Sequence, residues 1–102
     1  MLRVAVVEDE PSVMAQIEGF LARYESERGV PMEITAFRDG SELLADYRPV
    51  FDIILLDIEM PQVDGMAAAE QIRRTDQNVV IVFITNMAQY AIQGYSVGAL
   101  DF

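Results

Sequence analysis

Three acids and one hydroxyl stand at the ends of apolar runs in this sequence, and their positions suggest chemistry. Asp57 closes Phe51-Asp52-Ile53-Ile54-Leu55-Leu56 and opens Ile58-Glu59-Met60-Pro61-Gln62-Val63-Asp64-Gly65. Glu8 and Asp9 follow Leu2-Arg3-Val4-Ala5-Val6-Val7, and Thr85 follows Val79-Val80-Ile81-Val82-Phe83-Ile84. A polar group at the carboxyl end of a buried strand lies where open α/β sheets bind ligands. Carboxylates gathered there repel one another, by about 4 kcal/mol per pair at about 4 Å and an effective dielectric of about 20. A proton or a cation must offset that repulsion. Oxygen donors without histidine or cysteine favour Mg²⁺, which takes one or two carboxylates, several waters and a phosphate oxygen. The same cation lets an anionic phosphodonor approach an anionic nucleophile. Asp57 would then attack as a carboxylate and form an aspartyl-phosphate, with the Thr85 hydroxyl placed to donate to a phosphoryl oxygen.

Near-continuous apolar strands imply burial on both faces, as in a parallel sheet, and residues 2–7, 52–56 and 79–84 have this character. Residues 32–37 alternate instead, with Glu33 and Thr35 on one face, which marks an edge strand. Pro11 and Ser12 start a first helix in which Met14, Ile17, Leu21 and Tyr24 recur at helical spacing, ending near Arg28-Gly29. Ser41 is the expected cap of a short second helix, with Leu43, Leu44 and Tyr47 inward. Asp64 is the expected cap of a third, with Ala69 and Ile72 inward and Arg73-Arg74 at its end. A fourth helix is expected over about 87–94, and residues 97–102 read as the start of a fifth strand. The expected fold is therefore α/β: a flavodoxin-like doubly wound parallel sheet of order 2-1-3-4-5. Strand 5 is expected to be incomplete and the last helix missing. The switch point falls between strands 1 and 3, the strands that carry Glu8, Asp9 and Asp57.

Composition narrows the function classes. The 102 residues fit one domain over 1–102, and 52% hydrophobic residues suit a covered central sheet. A net charge of -10 repels a phosphate backbone, which disfavours direct nucleic-acid binding. All seven basic residues are arginine, and histidine and cysteine are absent, so imidazole bases, phosphohistidine, disulfides and thiolate chemistry are excluded. No apolar run approaches the about 20 residues that span a bilayer. A cytoplasmic protein without a membrane partner is expected.

Taken together, Val7-Glu8-Asp9-Glu10, Leu56-Asp57-Ile58-Glu59-Met60-Pro61 with Asp64-Gly65, and the strand ending at Thr85 resemble the receiver domain of bacterial two-component response regulators. The resemblance runs through the whole chain in order. It implies Asp57 as phosphoacceptor, Asp9 and Asp57 as direct Mg²⁺ ligands, Glu8 as a ligand through water and Glu59 through its backbone carbonyl. It further implies Thr85 as the switch hydroxyl, Phe102 as the switch aromatic, and a sensor histidine kinase as the phosphodonor. Tyr90-Ala91, Gly94-Tyr95 and Val97-Gly98-Ala99-Leu100-Asp101-Phe102 are similar to receivers attached to LytTR-type DNA-binding domains, so DNA contact would come only through an effector domain missing here.

Two features depart from the family pattern. The lysine that follows the switch aromatic in the family is not among these residues, and Asn86 follows Thr85 where a small residue is usual. The chain is accordingly expected to be truncated before its last helix, and a non-physiological dimer with exchanged segments near 85–102 is expected.

Three other classes share parts of this pattern. A degenerate receiver would serve only as an interaction module. A haloacid-dehalogenase-like phosphatase also uses a strand-end aspartate and Mg²⁺, but its nucleophile precedes its acid pair. A flavodoxin-like binding module needs a Ser/Thr/Gly-rich phosphate loop where this chain has Glu8-Asp9-Glu10.

Overall fold

β-branched and aliphatic residues at Leu2–Val7 form β1, and β2 (Met32–Phe37), β3 (Ile53–Leu56), β4 (Val80–Phe83) and β5 (Ala99–Asp101) complete a five-stranded sheet. The computed structural model describes residues 1–57, 65–84 and 99–101. All four strand pairings are parallel, and the order is β2-β1-β3-β4-β5. This is the doubly wound, flavodoxin-like sheet expected from the sequence, with the alternating strand at an edge. The flanking helices are α1 (Pro11–Arg28), α2 (Gly40–Leu44) and α3 (Gly65–Thr75).

Pairing register sorts the strand residues onto two faces, because neighbours in register point the same way and successive residues point oppositely. Ala5, Val7, Ile54, Leu56, Ile81 and Phe83 share one face. They are fully buried and form one cluster with Leu43 of α2 and Met66, Ala68, Ala69 and Ile72 of α3. The small side chains at Ala68 and Ala69 let α3 lie close to the sheet. On the other face Val4 and Val6 are fully buried, but Ile53, Leu55, Val80 and Val82 are only half-buried. Full burial of both faces was expected. It holds for Val4 to Val7 of β1, whereas Leu2 is half-buried, Arg3 is exposed, and β3 and β4 alternate between buried and half-buried. α1 contributes no fully buried residue: Met14, Ile17 and Leu21 are half-buried, and Tyr24 is 48% exposed.

Local chemistry sets the helix ends. α1 begins with proline in its first turn, where the missing N–H costs nothing. It ends at Gly29, whose φ of 66° is the left-handed cap conformation that glycine adopts most easily. The start of α2 corrects the expectation for Ser41. Asp39 is the cap, with its Oδ1 accepting the Glu42 amide at 2.8 Å, while Ser41 lies inside the first turn. Asp39 has extended backbone and reaches the third helical amide, the usual geometry of a capping acid. Leu43 is fully buried, and Leu44 and Tyr47 pack against the core as expected, although Tyr47 lies beyond the helix. The expected cap Asp64 and the expected fourth helix at 87–94 lie outside the described residues.

Candidate functional site

Glu8 and Asp57 stand just past the ends of their strands, and each is fixed by a backbone hydrogen bond to an adjacent strand. The Glu8 amide donates to the Phe37 carbonyl at 3.0 Å, and the Asp57 amide donates to the Val7 carbonyl at 3.2 Å. The Ile84 amide likewise donates to the Leu56 carbonyl at 3.0 Å. The ladder thus continues one step beyond the strands and delivers Glu8, Asp9 and Asp57 to one rim. One carboxylate oxygen from each lies within 4.8 Å of the others. Glu8 is buried at 6% exposure, Asp57 is half-buried and Asp9 faces solvent.

This crowding changes the acid–base behaviour of Glu8. Burial is the largest cause and pushes its carboxyl up to about 7, helped by the Asp57 charge and by hydrogen bonds to Asp57 and Asp9. The Glu10 amide, donating to Glu8 Oε1 at 3.1 Å, acts in the opposite sense but does not prevail. A site that holds a proton against its ordinary tendency is one where a cation can take the proton's place. Three oxygen donors, open to solvent on the Asp9 side, fit a hard divalent cation that keeps part of its water shell.

Beside the acids lies a cavity of about 510 Å³ between the start of α1 and the end of β2. Glu8 and Asp9 line it together with Met14, Phe37, Arg38 and Glu42.

The other buried acid, Asp76 at 7% exposure, is structural. Its carboxylate accepts the Tyr47 hydroxyl at 2.8 Å and the amides of Asn78 and Val79 at 3.2 and 3.3 Å. It closes the turn between α3 and β4, at the end of the sheet opposite the acid rim. Of the remaining expected site residues, Glu59, Thr85 and Phe102 lie outside the described residues, as do Asn86, Tyr90 and Tyr95.

Comparison with known proteins agrees with this architecture. The family described as "Response regulator receiver domain" matches residues 4–102. Sensory transduction protein LytT of Bacillus cereus is 34% identical over 102 residues, covering 100% of this chain and 40% of that protein. The chain thus spans about two fifths of that relative's length, and LytT agrees with the LytTR-type likeness seen at residues 90–102. The non-phosphorylated HemR receiver domain from Leptospira biflexa superposes with a TM-score of 0.85 at 26% identity, over 100% of this chain and 80% of that one. TrrA of Thermotoga maritima, solved in complex with Mg²⁺-BeF, gives 0.82 at 27% identity over 99% and 84% of the two chains. TrrA in complex with the histidine kinase ThkA gives 0.78 at 27% identity over 99% and 83%. Among the described residues no helix is long and apolar enough to cross a membrane.

Proposed function

The chain belongs to the response regulator receiver domain family, and on that premise we propose that it is a phosphorylation-controlled signalling domain in which Asp57 accepts a phosphoryl group from a sensor histidine kinase. The observation that carries this is the convergence of Glu8, Asp9 and Asp57 within 4.8 Å at the ends of adjacent strands. A bound Mg²⁺ would offset the charge of the acids and of the incoming phosphoryl group, held directly by Asp9 and Asp57, through water by Glu8, and by the Glu59 carbonyl. An Asp57 carboxylate oxygen forms the new bond to phosphorus as the bond from phosphorus to the donor's leaving atom breaks. The leaving atom keeps that electron pair; a phosphohistidine ring that carries a proton on its other nitrogen thereby leaves as neutral imidazole. Asp57 is half-buried and its amide is tied to the Val7 carbonyl, which limits its motion.

Thr85 is the proposed switch hydroxyl and Phe102 the proposed switch aromatic, both on the sequence resemblance. The domain catalyses at most its own phosphoryl transfer and autodephosphorylation, and so works as a signal carrier. Residues 1–102 constitute the receiver unit, and the regulated output is an attached domain, transcriptional in type, that supplies any DNA contact. The Mg²⁺-BeF complex and the kinase complex of TrrA support the cation and partner parts of this reading. A cytoplasmic location follows from a kinase partner of this kind.

The test is Mg²⁺ titration followed by beryllofluoride addition, on wild type, Asp57→Asn and Asp9→Ala. Each variant should weaken Mg²⁺ binding by about tenfold or more, and Asp57→Asn should lose the beryllofluoride response. Unchanged Mg²⁺ affinity in both variants contradicts the phosphoacceptor site and leaves a receiver fold that acts as an interaction module.

A further inference from the structure

We infer that a second cavity, framed by the end of β2, the end of α2 and the start of β3, binds the quaternary ammonium group of a small molecule, an inference independent of the phosphoacceptor reading of Asp57. The first ground is the rings. Phe37 at the end of β2, Tyr47 after α2 and Phe51 before β3 line one cavity of about 370 Å³. The Phe37 and Phe51 centroids stand 6.1 Å apart with the ring planes at 85°, and the Tyr47 and Phe51 centroids 6.3 Å apart at 42°. Neither pair stacks in parallel, so the rings meet at angles around Phe51 and wall a corner. All three are half-buried, and the fully buried Leu43 lines the same cavity. Rings set at angles about a common space attract quaternary ammonium groups, because the positive charge is drawn to the negative ring faces.

The second ground is charge. Two carboxylates, Glu42 and Asp46, and one guanidinium, Arg48, line this cavity, so its wall is net negative. The Glu42 carboxylate has no ion pair or hydrogen bond among the described residues. Asp46 meets Arg48 at 3.8 Å, with both side chains largely exposed. A pair of that kind contributes little and yields readily to a competing cation. Among the described residues no cation stands over Phe37, Tyr47 or Phe51; the cation–π contact present there sets Arg28 over Tyr24 at 5.8 Å, within α1. The chain's own described cations therefore leave these three ring faces unused.

The chemistry of the walls narrows the occupant. A hard inorganic cation needs several oxygen ligands, and the rings supply none. A neutral apolar molecule gains nothing from Glu42 and Asp46. A guanidinium or primary ammonium carries N–H donors that each need an acceptor, and three of the walls are hydrocarbon. A quaternary ammonium has no donor, an apolar surface and a full charge, which match the rings, Leu43 and the carboxylates together. The volume falls at the lower end of the roughly 300–1,000 Å³ that small-molecule sites occupy. Phe37 and Glu42 also line the cavity beside Glu8 and Asp9, whereas Asp46, Tyr47 and Phe51 do not. Those three are therefore the residues to alter.

The experiment titrates the chain with choline and with its neutral isostere 3,3-dimethyl-1-butanol, followed by backbone amide NMR shifts. Choline should bind saturably, with its largest shifts in residues 42–51, and the isostere should bind at least about fivefold more weakly. Phe51→Leu keeps an apolar side chain and removes the central ring. It should weaken choline about fivefold and leave the isostere within about twofold of wild type. Asp46→Asn, an exposed change that leaves the core alone, should weaken choline about two- to threefold, and that loss should fade as salt rises. Tyr47→Phe keeps the ring and should bind choline as wild type does. Equal affinity of wild type for choline and the isostere overturns the inference, and so does an absence of saturable choline binding. Choline binding that is unchanged in Phe51→Leu and Asp46→Asn but falls in Asp9→Ala puts the cation at the acid rim and overturns it as well.

Discussion

The Asp57 amide donates to the Val7 carbonyl at 3.2 Å, which ties the end of β3 to the residue immediately before Glu8. The bond extends the parallel ladder between β1 and β3 by one step, which makes the spacing of the carboxylates a property of the sheet. The acids therefore meet whether or not a cation is present, and their repulsion is built into the fold.

That repulsion should be visible as a pH dependence of stability. The Glu8 carboxyl is raised from 4.5 to about 7 in the folded chain. Between those values the folded state holds a proton that the unfolded state has released, so stability should fall as pH rises through this window. A bound Mg²⁺ would take the proton's place, so its affinity should rise over the same range and a chelator should lower the melting temperature most at pH above 7. Glu8→Gln should remove the Glu8 share of the decline, and at pH 7.5 without metal it should melt about 4–8 °C higher for each kcal/mol of relieved repulsion. Thermal melts of both proteins from pH 4 to 8, with and without Mg²⁺, check this. Equal pH slopes for the two would contradict it.

Tyr47 should affect stability and leave the site alone. Its hydroxyl donates to the buried Asp76 carboxylate at 2.8 Å, and burial together with that carboxylate holds the phenol well above its ordinary pKa. Tyr47→Phe leaves Asp76 with the Asn78 and Val79 amides and should cost about 1–2 kcal/mol in urea unfolding. Mg²⁺ affinity should stay at the wild-type value, because the α3–β4 turn lies at the other end of the sheet. A loss of Mg²⁺ binding equal to that of Asp9→Ala would show that the two ends are coupled.

Much of this arrangement was legible in the chain, for identifiable reasons. The strand order followed from two facts of patterning, the apolar continuity of β1, β3 and β4 and the alternation of β2. The switch point then had to fall where Glu8, Asp9 and Asp57 lie. Legibility failed where a choice between neighbours depends on backbone direction. Asp39 and Ser41 are both capping types, and the pattern Asp39-Gly40-Ser41-Glu42, with an acid three residues after a capping acid, already favoured Asp39. The uneven burial of β3 and β4 was hidden because a run such as Ile53-Ile54-Leu55-Leu56 reads the same whether one face or both are covered. For Glu59, Thr85 and Phe102 the sequence resemblance remains the ground for their proposed roles.

The half-buried sheet face has its own expected outcome. Val82, Leu55 and their neighbours share that face, and Phe20 of α1 is 70% exposed. Apolar surface of this extent favours contact between chains. The 102-residue chain should therefore self-associate with rising concentration, and Phe20→Glu should weaken that association. Sedimentation velocity over a hundredfold range of concentration measures it, and a constant monomeric coefficient in wild type would contradict the expectation.

The most direct measurement is the site of labelling itself. The chain is incubated with Mg²⁺ and acetyl phosphate, and intact mass is followed by peptide mapping under conditions that preserve acyl phosphates. One added phosphoryl group is expected, located on the peptide that contains Asp57, dependent on Mg²⁺ and absent from Asp57→Asn. A label of the same extent in Asp57→Asn, or one that maps to another residue in wild type, would contradict it.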